Sequence, residues 1–107
     1  MENLNKNNAK IFKALADEQR LIILELLQSG EKCACEILDN IKIGQSSLSY
    51  HMKILVNSGI VESRNNGKWT FYQISKKGIP DAINILKELT TIKNRDNSNS
   101  KNYNCEK

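Results

Sequence analysis

Residues 34–59, ACEILDNIKIGQSSLSYHMKILVNSG, decide the fold of this chain of 107 residues. The pattern predicts a short helix over residues 34–40, a tight turn at 43–45, and a second helix capped by Ser46 or Ser47. The second helix is apolar on one side and carries small polar or basic side chains on the other. Two short helices around a tight turn, the second with such an outer face, predict a helix-turn-helix.

A β-hairpin is predicted directly after these two helices. Residues 60–64 and 69–75 favour strands, and the Asn-Gly pair within the intervening residues 65–68 is a strong hairpin signal. Apolar residues at helical spacing predict two earlier helices, the second capped by Asp17, and Pro80 fits the first turn of a last helix. We therefore expect a mainly α fold with a small β-hairpin: four helices, the hairpin and a fifth helix, arranged as a winged helix-turn-helix.

The domain boundary is predicted from a change in composition. Residues 1–93 are expected to form one DNA-binding and dimerisation domain. Residues 94–107 are Asn/Ser-rich and lack aliphatic side chains, so they are expected to form a disordered polar tail that carries Cys105. No apolar run approaches the roughly 20 residues that span a bilayer, and residues 1–10 are polar. We therefore expect a cytoplasmic protein with no membrane partner.

The positive charge is concentrated in the middle of the chain. The formal net charge is +4, and between Lys42 and Lys77 six basic residues stand against one acidic residue, Glu62. A basic segment of this kind suits binding to a phosphate backbone. Charge alone fits a solvated basic surface equally well, so the DNA hypothesis depends on its agreement with the helix order, the turn and the hairpin.

The polar face of the second helix and the hairpin supply the candidate DNA contacts. Small side chains would let this recognition helix enter the major groove, and basic side chains on the wing would reach the backbone or the minor groove. For the single histidine, packing beside the turn is the alternative. The residues predicted to contact DNA are Gln45, Ser46, Ser47, Ser49, Tyr50, His51, Lys53, Arg64 and Lys68.

Cys33 and Cys35, at the start of the third helix, are candidate ligands for a soft ion. Three cysteines at uneven spacing suit reduced thiols better than a disulfide framework. The thiolate is the metal-binding form, and a helix N-terminus and the neighbouring Lys32 would both favour it. Two thiolates with no histidine or carboxylate obviously beside them favour a soft ion. Two alternatives stay open: small inert core residues, or a redox sensor in which Cys33, Cys35 or Cys105 forms disulfides.

Helix geometry predicts a way for these thiols to act on DNA binding. Residues at positions i and i+2 lie about 200° apart around a regular helix. Cys33 and Cys35 could then bind one atom only if the first turn unwinds. Because the same helix supports the recognition helix, this distortion is expected to weaken DNA binding.

Several stretches resemble the arsenical-resistance repressor (ArsR/SmtB) family. They are residues 12–21 (FKALADEQRL), 45–55 (QSSLSYHMKIL) followed by SGIV at 58–61, and the hairpin RNNGKWTFY at 64–72. The resemblance covers about residues 8–92. It implies a homodimer whose first and last helices form the interface, a palindromic double-stranded DNA operator, and release from DNA when an inducer binds.

The resemblance also implies an inducer. Similar repressors carry a Cys-x-Cys motif at this helix and respond to arsenite, so a trivalent arsenical is expected, with antimonite as an alternative and no required cofactor. The arsenite site of the family has a third cysteine two residues after the second, where this chain has Ile37. Cys105 could supply that thiolate from a flexible tail. Alternatively, two thiolates would suit a methylated trivalent arsenical, and cadmium and lead are other soft ions.

Other functions fit the residues less well. Relatives that sense zinc, cobalt or nickel place histidine and carboxylates on the last helix, which here has Asp81 and Glu88 but no histidine. A nucleophile-base pair and a Gly-rich phosphate loop are both missing from the sequence, so no enzyme is predicted. A constitutive DNA-binding module without an inducer is the remaining alternative.

Overall fold

The computed structural model describes residues 2–94, with side chains from Leu4 onward. It is mainly helical with a small antiparallel sheet, which confirms the predicted winged helix-turn-helix class. The predicted tail, including Cys105, lies outside the described residues apart from Asn94. The elements are α1 (Glu2–Leu15), α2 (Glu18–Leu27), β1 (Lys32–Cys33), α3 (Ala34–Asn40), α4 (Gln45–Asn57), β2 (Val61–Asn66), β3 (Trp69–Ile74) and α5 (Gly78–Thr90).

The helix caps follow the local sequence with one exception. Asp17 caps α2 as predicted, because its Oδ1 accepts hydrogen bonds from the backbone N–H groups of Gln19 at 2.8 Å and Arg20 at 3.2 Å. The predicted caps of α4 were wrong: Gly44 caps this helix, and its carbonyl accepts from the N–H of Leu48 at 3.0 Å. The backbone is already helical at Gln45, so the two serines that follow lie in the first turn.

The sheet contains one strand more than predicted. Its order is β1-β3-β2, and the short β1 pairs antiparallel with β3, Lys32 opposite Tyr72 and Cys33 opposite Phe71. Two residues are too few to show an alternating pattern, so this strand depends on a distant partner. The wing turn is also tighter than expected. Asn66 pairs with Trp69, which leaves a two-residue loop that begins at Gly67 with a φ of +66°.

The core holds α4 in place by its apolar face. Every helix up to α4 contributes at least one fully buried side chain, as does the segment that enters β2, and Tyr72 and Ile74 of β3 pack against the same cluster. The buried apolar residues of this cluster are Ala14, Ile23, Leu27, Ile37, Leu48, Met52, Leu55, Ile60 and Val61. Because α4 buries its apolar face here, its polar face is presented outward.

The two terminal helices carry apolar side chains that this core does not cover. No residue of α5 is buried, and Ile83, Leu86 and Leu89 are 62%, 52% and 55% exposed. An apolar stripe on α1 lies beside them and consists of Ile11, Phe12 and Leu15. This stripe lines one groove together with Ile83 and Leu86 of α5. Within the described residues, no helix is long and apolar enough to cross a membrane.

Candidate nucleic-acid interface and thiol site

The outer face of α4 brings together most of the side chains predicted to contact DNA. All of those on this helix other than His51 are exposed, and Tyr50 is 62% exposed. This face contains no Asp or Glu, so nothing on it repels a phosphate. The residues concerned are Gln45, Ser46, Ser47, Ser49, Tyr50 and Lys53.

His51 is partly buried at the edge of this surface, with its ring centre 5.4 Å from that of Tyr50. Its side chain is only 12% exposed, and its Nδ1 accepts a hydrogen bond from Nη1 of Arg20 at 3.0 Å. Arg20 is itself buried and also donates to the carbonyls of Ala14 at 2.9 Å and Lys13 at 3.0 Å. The structure therefore favours the alternative in which His51 packs inside, where it joins α4 to the end of α1.

The two basic wing residues differ in their surroundings. The guanidinium of Arg64 donates two hydrogen bonds of 2.7 Å to the carboxylate of Glu31 and lies 4.5 Å from the centre of the Phe71 ring. Hydrogen bonding by Arg64 lowers the pKa of Glu31, and hydrogen bonding to Glu31 raises the pKa of Arg64. Lys68 is exposed, with its Nζ 5.9 Å from the Trp69 ring. Arg64 thus links the wing to Glu31, directly before β1, whereas the Lys68 side chain lies beside a neighbouring ring of the wing itself.

Cys33 and Cys35 are joined by a disulfide in this structure, which corrects the expectation of reduced thiols. Cys33 is the N-cap of α3 and has an extended backbone, so only Cys35 is helical. The premise of the unwinding argument was therefore wrong, because the two sulfurs meet while α3 keeps its first turn. Glu36 stabilises that turn by accepting a hydrogen bond from the N–H of Cys33 at 3.1 Å.

The two cysteines face different parts of the molecule. Cys33 is buried, 6% exposed, and its backbone pairs with the wing strand at Phe71. Cys35 is exposed and lines a cavity of about 310 Å³ between α3, α4 and the wing. Gln45 and Ser49 of the recognition helix line the same cavity, as does Lys68 of the wing. A group bound to Cys35 would therefore lie between α4 and the wing.

Some of these features could not be found from sequence reasoning. Glu31 and Arg64 are 33 residues apart, and the pairing of Cys33 with the wing depends on a two-residue strand. No sequence spacing signals either contact. Within the described residues, no group of three or more His, Cys, Asp or Glu side chains is placed to hold a metal ion. The described part of the site therefore offers two sulfurs, and Cys105 lies outside it.

Comparison with known proteins places this architecture in one family. Residues 17–63 match the family model described as bacterial regulatory protein, arsR family. An arsenical resistance operon repressor of Staphylococcus aureus is 39% identical over 90 residues, which cover 84% of this chain and 86% of that protein. An uncharacterized HTH-type transcriptional regulator of Methanocaldococcus jannaschii is 43% identical over 82 residues, covering 76% of this chain and 92% of its own length.

The same relationship is seen in three dimensions. The solution NMR structure of a homodimeric winged helix-turn-helix DNA-binding domain of Mycobacterium bovis is 27% identical, with a TM-score of 0.68 and 82% of each chain covered. The chain therefore belongs to the arsR family of bacterial regulatory proteins, and it is a winged helix-turn-helix transcriptional regulator rather than an enzyme.

Proposed function

We propose that the chain is a homodimeric transcriptional repressor that binds a palindromic operator and leaves it when a trivalent arsenical binds Cys33 and Cys35. The observation that carries this proposal is the placement of the two sulfurs, which are within bonding distance at the junction of α3 and the wing. The relationship to a protein named as an arsenical resistance operon repressor supports the choice of inducer. A repressor acts where its operator lies, so we propose the cytoplasm as its location.

The chemistry requires reduction of the disulfide first. Two molecules of a low-molecular-weight thiol would together supply two electrons and two protons and would be joined to each other as a disulfide. Each thiol of Cys33 and Cys35 would then displace one hydroxyl of arsenous acid, forming an arsenic–sulfur bond and releasing one water. Cys105 could displace the third hydroxyl in the same way. Without Cys105, the two thiols suit a methylated trivalent arsenical, whose carbon–arsenic bond stays intact.

The signal would pass from this site to the wing. In the reduced protein the two sulfurs are no longer bonded to each other, and an arsenic atom that bridges them would fix the position of Cys33 relative to Cys35. Cys33 is paired with Phe71, whose ring lies under the Arg64 guanidinium, and Arg64 is bound to Glu31 two residues before Cys33. A shift of Cys33 would therefore change the position of the wing relative to α4 without unwinding α3. Arsenic on Cys35 would also occupy the cavity beside Gln45.

Dimerisation would use the apolar groove between the first and last helices. Ile83, Leu86 and Leu89 are more than half exposed, and the first two line this groove together with the apolar stripe of α1. Burying them against a second copy removes apolar surface from water. A two-fold dimer would then present two recognition helices, each of which reads one half of the palindrome with its Gln45–Lys53 face and contacts phosphates with Lys68 and Arg64.

A thiol redox sensor is the second candidate, and the disulfide favours it. In that case the oxidised and reduced forms would differ in DNA affinity without any arsenical. A two-electron oxidant of the disulfide class would convert the two thiols to the disulfide. Both candidates use the same cysteines, so the test must separate oxidation from ligand binding.

The test is a fluorescence-anisotropy titration of a DNA duplex from the chain's own promoter. The protein is kept reduced by a phosphine, which does not compete as a thiol ligand for arsenic. We compare wild type, Cys33→Ser/Cys35→Ser and Cys105→Ser, with arsenite, methylarsenite, cadmium or lead, and separately with a thiol oxidant. We expect arsenite to weaken wild-type binding by about 5- to 150-fold, since typical coupling energies are about 1–3 kcal/mol. The double variant should remain bound.

Each outcome assigns the sensor. If the reduced protein keeps its DNA affinity in arsenite, the arsenite claim fails, and release by oxidant alone would establish the redox sensor. Release by cadmium or lead but not arsenite would identify another soft ion. If Cys105→Ser responds like wild type, the site uses two thiolates. Equal DNA affinity under all conditions, in wild type and in the double variant, would indicate a constitutive DNA-binding module.

A further inference from the structure

We propose that Lys10 and Lys13 on α1 form a second phosphate-binding surface, on the flank of α4 opposite the wing. This inference rests on the proposed function, because it extends the operator interface across the recognition helix. The DNA contacts expected from the sequence all lie on α4 and the wing. The protein would then contact phosphates on both sides of the major groove that α4 enters, with the wing on one side and with Lys10 and Lys13 on the other.

The geometry places these lysines beside the recognition helix. Helix α1 packs against α4, and the two helices form a groove of about 530 Å³. Lys10 and Lys13 line one side of the groove, and Tyr50 and Asn57 line the other. Tyr50 and Asn57 belong to the exposed face of α4, so a DNA strand that follows this face passes the two lysines.

The charge around this groove is positive. Lys6, Lys10 and Lys13 are spaced by four and three residues, so they lie on one side of α1. The chain has no Asp or Glu from Leu4 to Ala16, and none in α4. The neighbouring acid, Asp17, already accepts backbone hydrogen bonds at the start of α2. Among the described residues, neither Lys10 nor Lys13 has a carboxylate within 4.0 Å.

The lysine side chains on this side of α1 are exposed, and within the described part of the chain none of them is in an ion pair. At about 100° per residue this side lies opposite the apolar stripe of α1, so a dimer formed through that stripe leaves the lysines uncovered. Both ammonium groups are on exposed side chains, and exposed lysines favour solvent unless an anion holds them. The phosphates that border the major groove, which is about 12 Å wide in B-DNA, are anions of matching charge at the right place.

The experiment measures DNA affinity as a function of salt concentration. Lys10→Gln and Lys13→Gln are compared with wild type and with Lys87→Gln, a control on α5 that loses the same charge and has an exposed side chain. Each duplex-bound dimer would lose two phosphate contacts with either α1 variant. The slope of log affinity against log salt should therefore fall in magnitude by about two, and the affinity at 0.1 M salt by at least about tenfold.

A scrambled duplex of the same length and composition serves as a second probe. Because phosphate contacts are independent of sequence, the promoter and scrambled duplexes should lose affinity by the same factor within about twofold. Lys10→Arg/Lys13→Arg should keep the wild-type slope, and Lys87→Gln should change it much less. Thermal unfolding and size-exclusion elution of each variant should match wild type.

The outcomes separate this inference from the proposed function. If wild type shows no salt-dependent binding to either duplex, the operator-binding proposal itself fails. If wild type binds and both α1 variants retain its slope, only the inference about α1 fails. Loss of affinity for the promoter duplex alone would also overturn it, because it would make these lysines readers of sequence. Millimolar inorganic phosphate could also displace DNA from wild type but not from the α1 variants. That result would contradict the inference and would assign the groove to a free anion.

Discussion

The two flanks of α4 are held by opposite kinds of interaction. On the α1 flank, Arg20 is buried and binds two backbone carbonyls and His51. On the wing flank, Arg64 is exposed and binds Glu31 over the Phe71 ring. A buried polar group without its partner costs far more than an exposed ion pair contributes. One flank is therefore rigid, and the other can move at little cost in free energy.

The thiols lie on the side that can move. Cys33 pairs with the wing strand, whereas the α1 flank contains no cysteine. A sensor that acted on the Arg20 network would have to break a buried cluster and would risk unfolding the domain. A sensor that acts on the wing needs to change only an exposed pair and a two-residue strand. The difference between the flanks supports the wing, rather than α3 itself, as the element that the proposed inducer would displace.

The largest expected effect comes from breaking the rigid flank. Arg20→Met should lower the free energy of unfolding by about 3 kcal/mol, because the carbonyls of Lys13 and Ala14 lose their donor in a buried position. Arg64→Met removes only an exposed ion pair, so it should lower the free energy of unfolding much less. Urea denaturation at a fixed protein concentration measures both. Equal losses for the two variants would contradict the difference between the flanks.

A smaller effect tests whether the wing transmits the signal. Glu31→Gln removes the charge that holds Arg64, so arsenite should still bind Cys33 and Cys35, but its effect on DNA affinity should shrink at least threefold. Asp17→Asn is the control on the other flank, since asparagine caps a helix about as well as aspartate. Anisotropy titrations with and without arsenite give the coupling for each. If Glu31→Gln retains the full wild-type coupling, the wing route is wrong.

The sequence predicts those parts of the molecule that depend on neighbours in the chain. Asp17 needs only the two backbone N–H groups that follow it, and Gly59 ends α4 with a φ of +85° while its N–H donates to Val56. The cap of α4 was misplaced because Gly44 and two serines compete for that position within three residues. Local preference did not decide among them, and packing of the apolar face of α4 sets the start.

The candidate site was predicted less completely, because it depends on contacts between distant residues. The outward face of α4 follows from helical periodicity. The inward position of His51 depends on Arg20, 31 residues earlier, and the fixed position of Arg64 depends on Glu31. Lys10 and Lys13 had a visible signal in their helical spacing. This signal is hidden in the net charge, because the formal charges outside residues 42–77 sum to −1 once acidic residues elsewhere cancel the lysines of α1.

The smallest expected effect is on the pH dependence of stability. The two flanks differ here because the pKa values of their carboxyl groups, Asp17 and Glu31, are lowered by different kinds of hydrogen bond. The pKa of Asp17 is lowered chiefly by the backbone N–H of Arg20, and that of Glu31 chiefly by the side chain of Arg64. A folded-state pKa below the unfolded value stabilises the protein above the unfolded value, and that stability is lost as pH falls through the folded value. Unfolding midpoints in urea should therefore stay level from pH 7 to about 5 and fall below about pH 4.5.

Salt should affect the two contributions differently. Glu31→Gln and Asp17→Asn should each make the acid-induced fall shallower than in wild type. Raising the salt concentration to 0.5 M should remove most of the difference between wild type and Glu31→Gln, because an exposed pair of charged side chains is screened. It should remove less of the difference for Asp17→Asn, because the pKa of Asp17 is lowered chiefly by a hydrogen bond from a backbone N–H group, which dissolved salt screens little. Equal salt sensitivity would mean that the two carboxylates are held by the same kind of interaction.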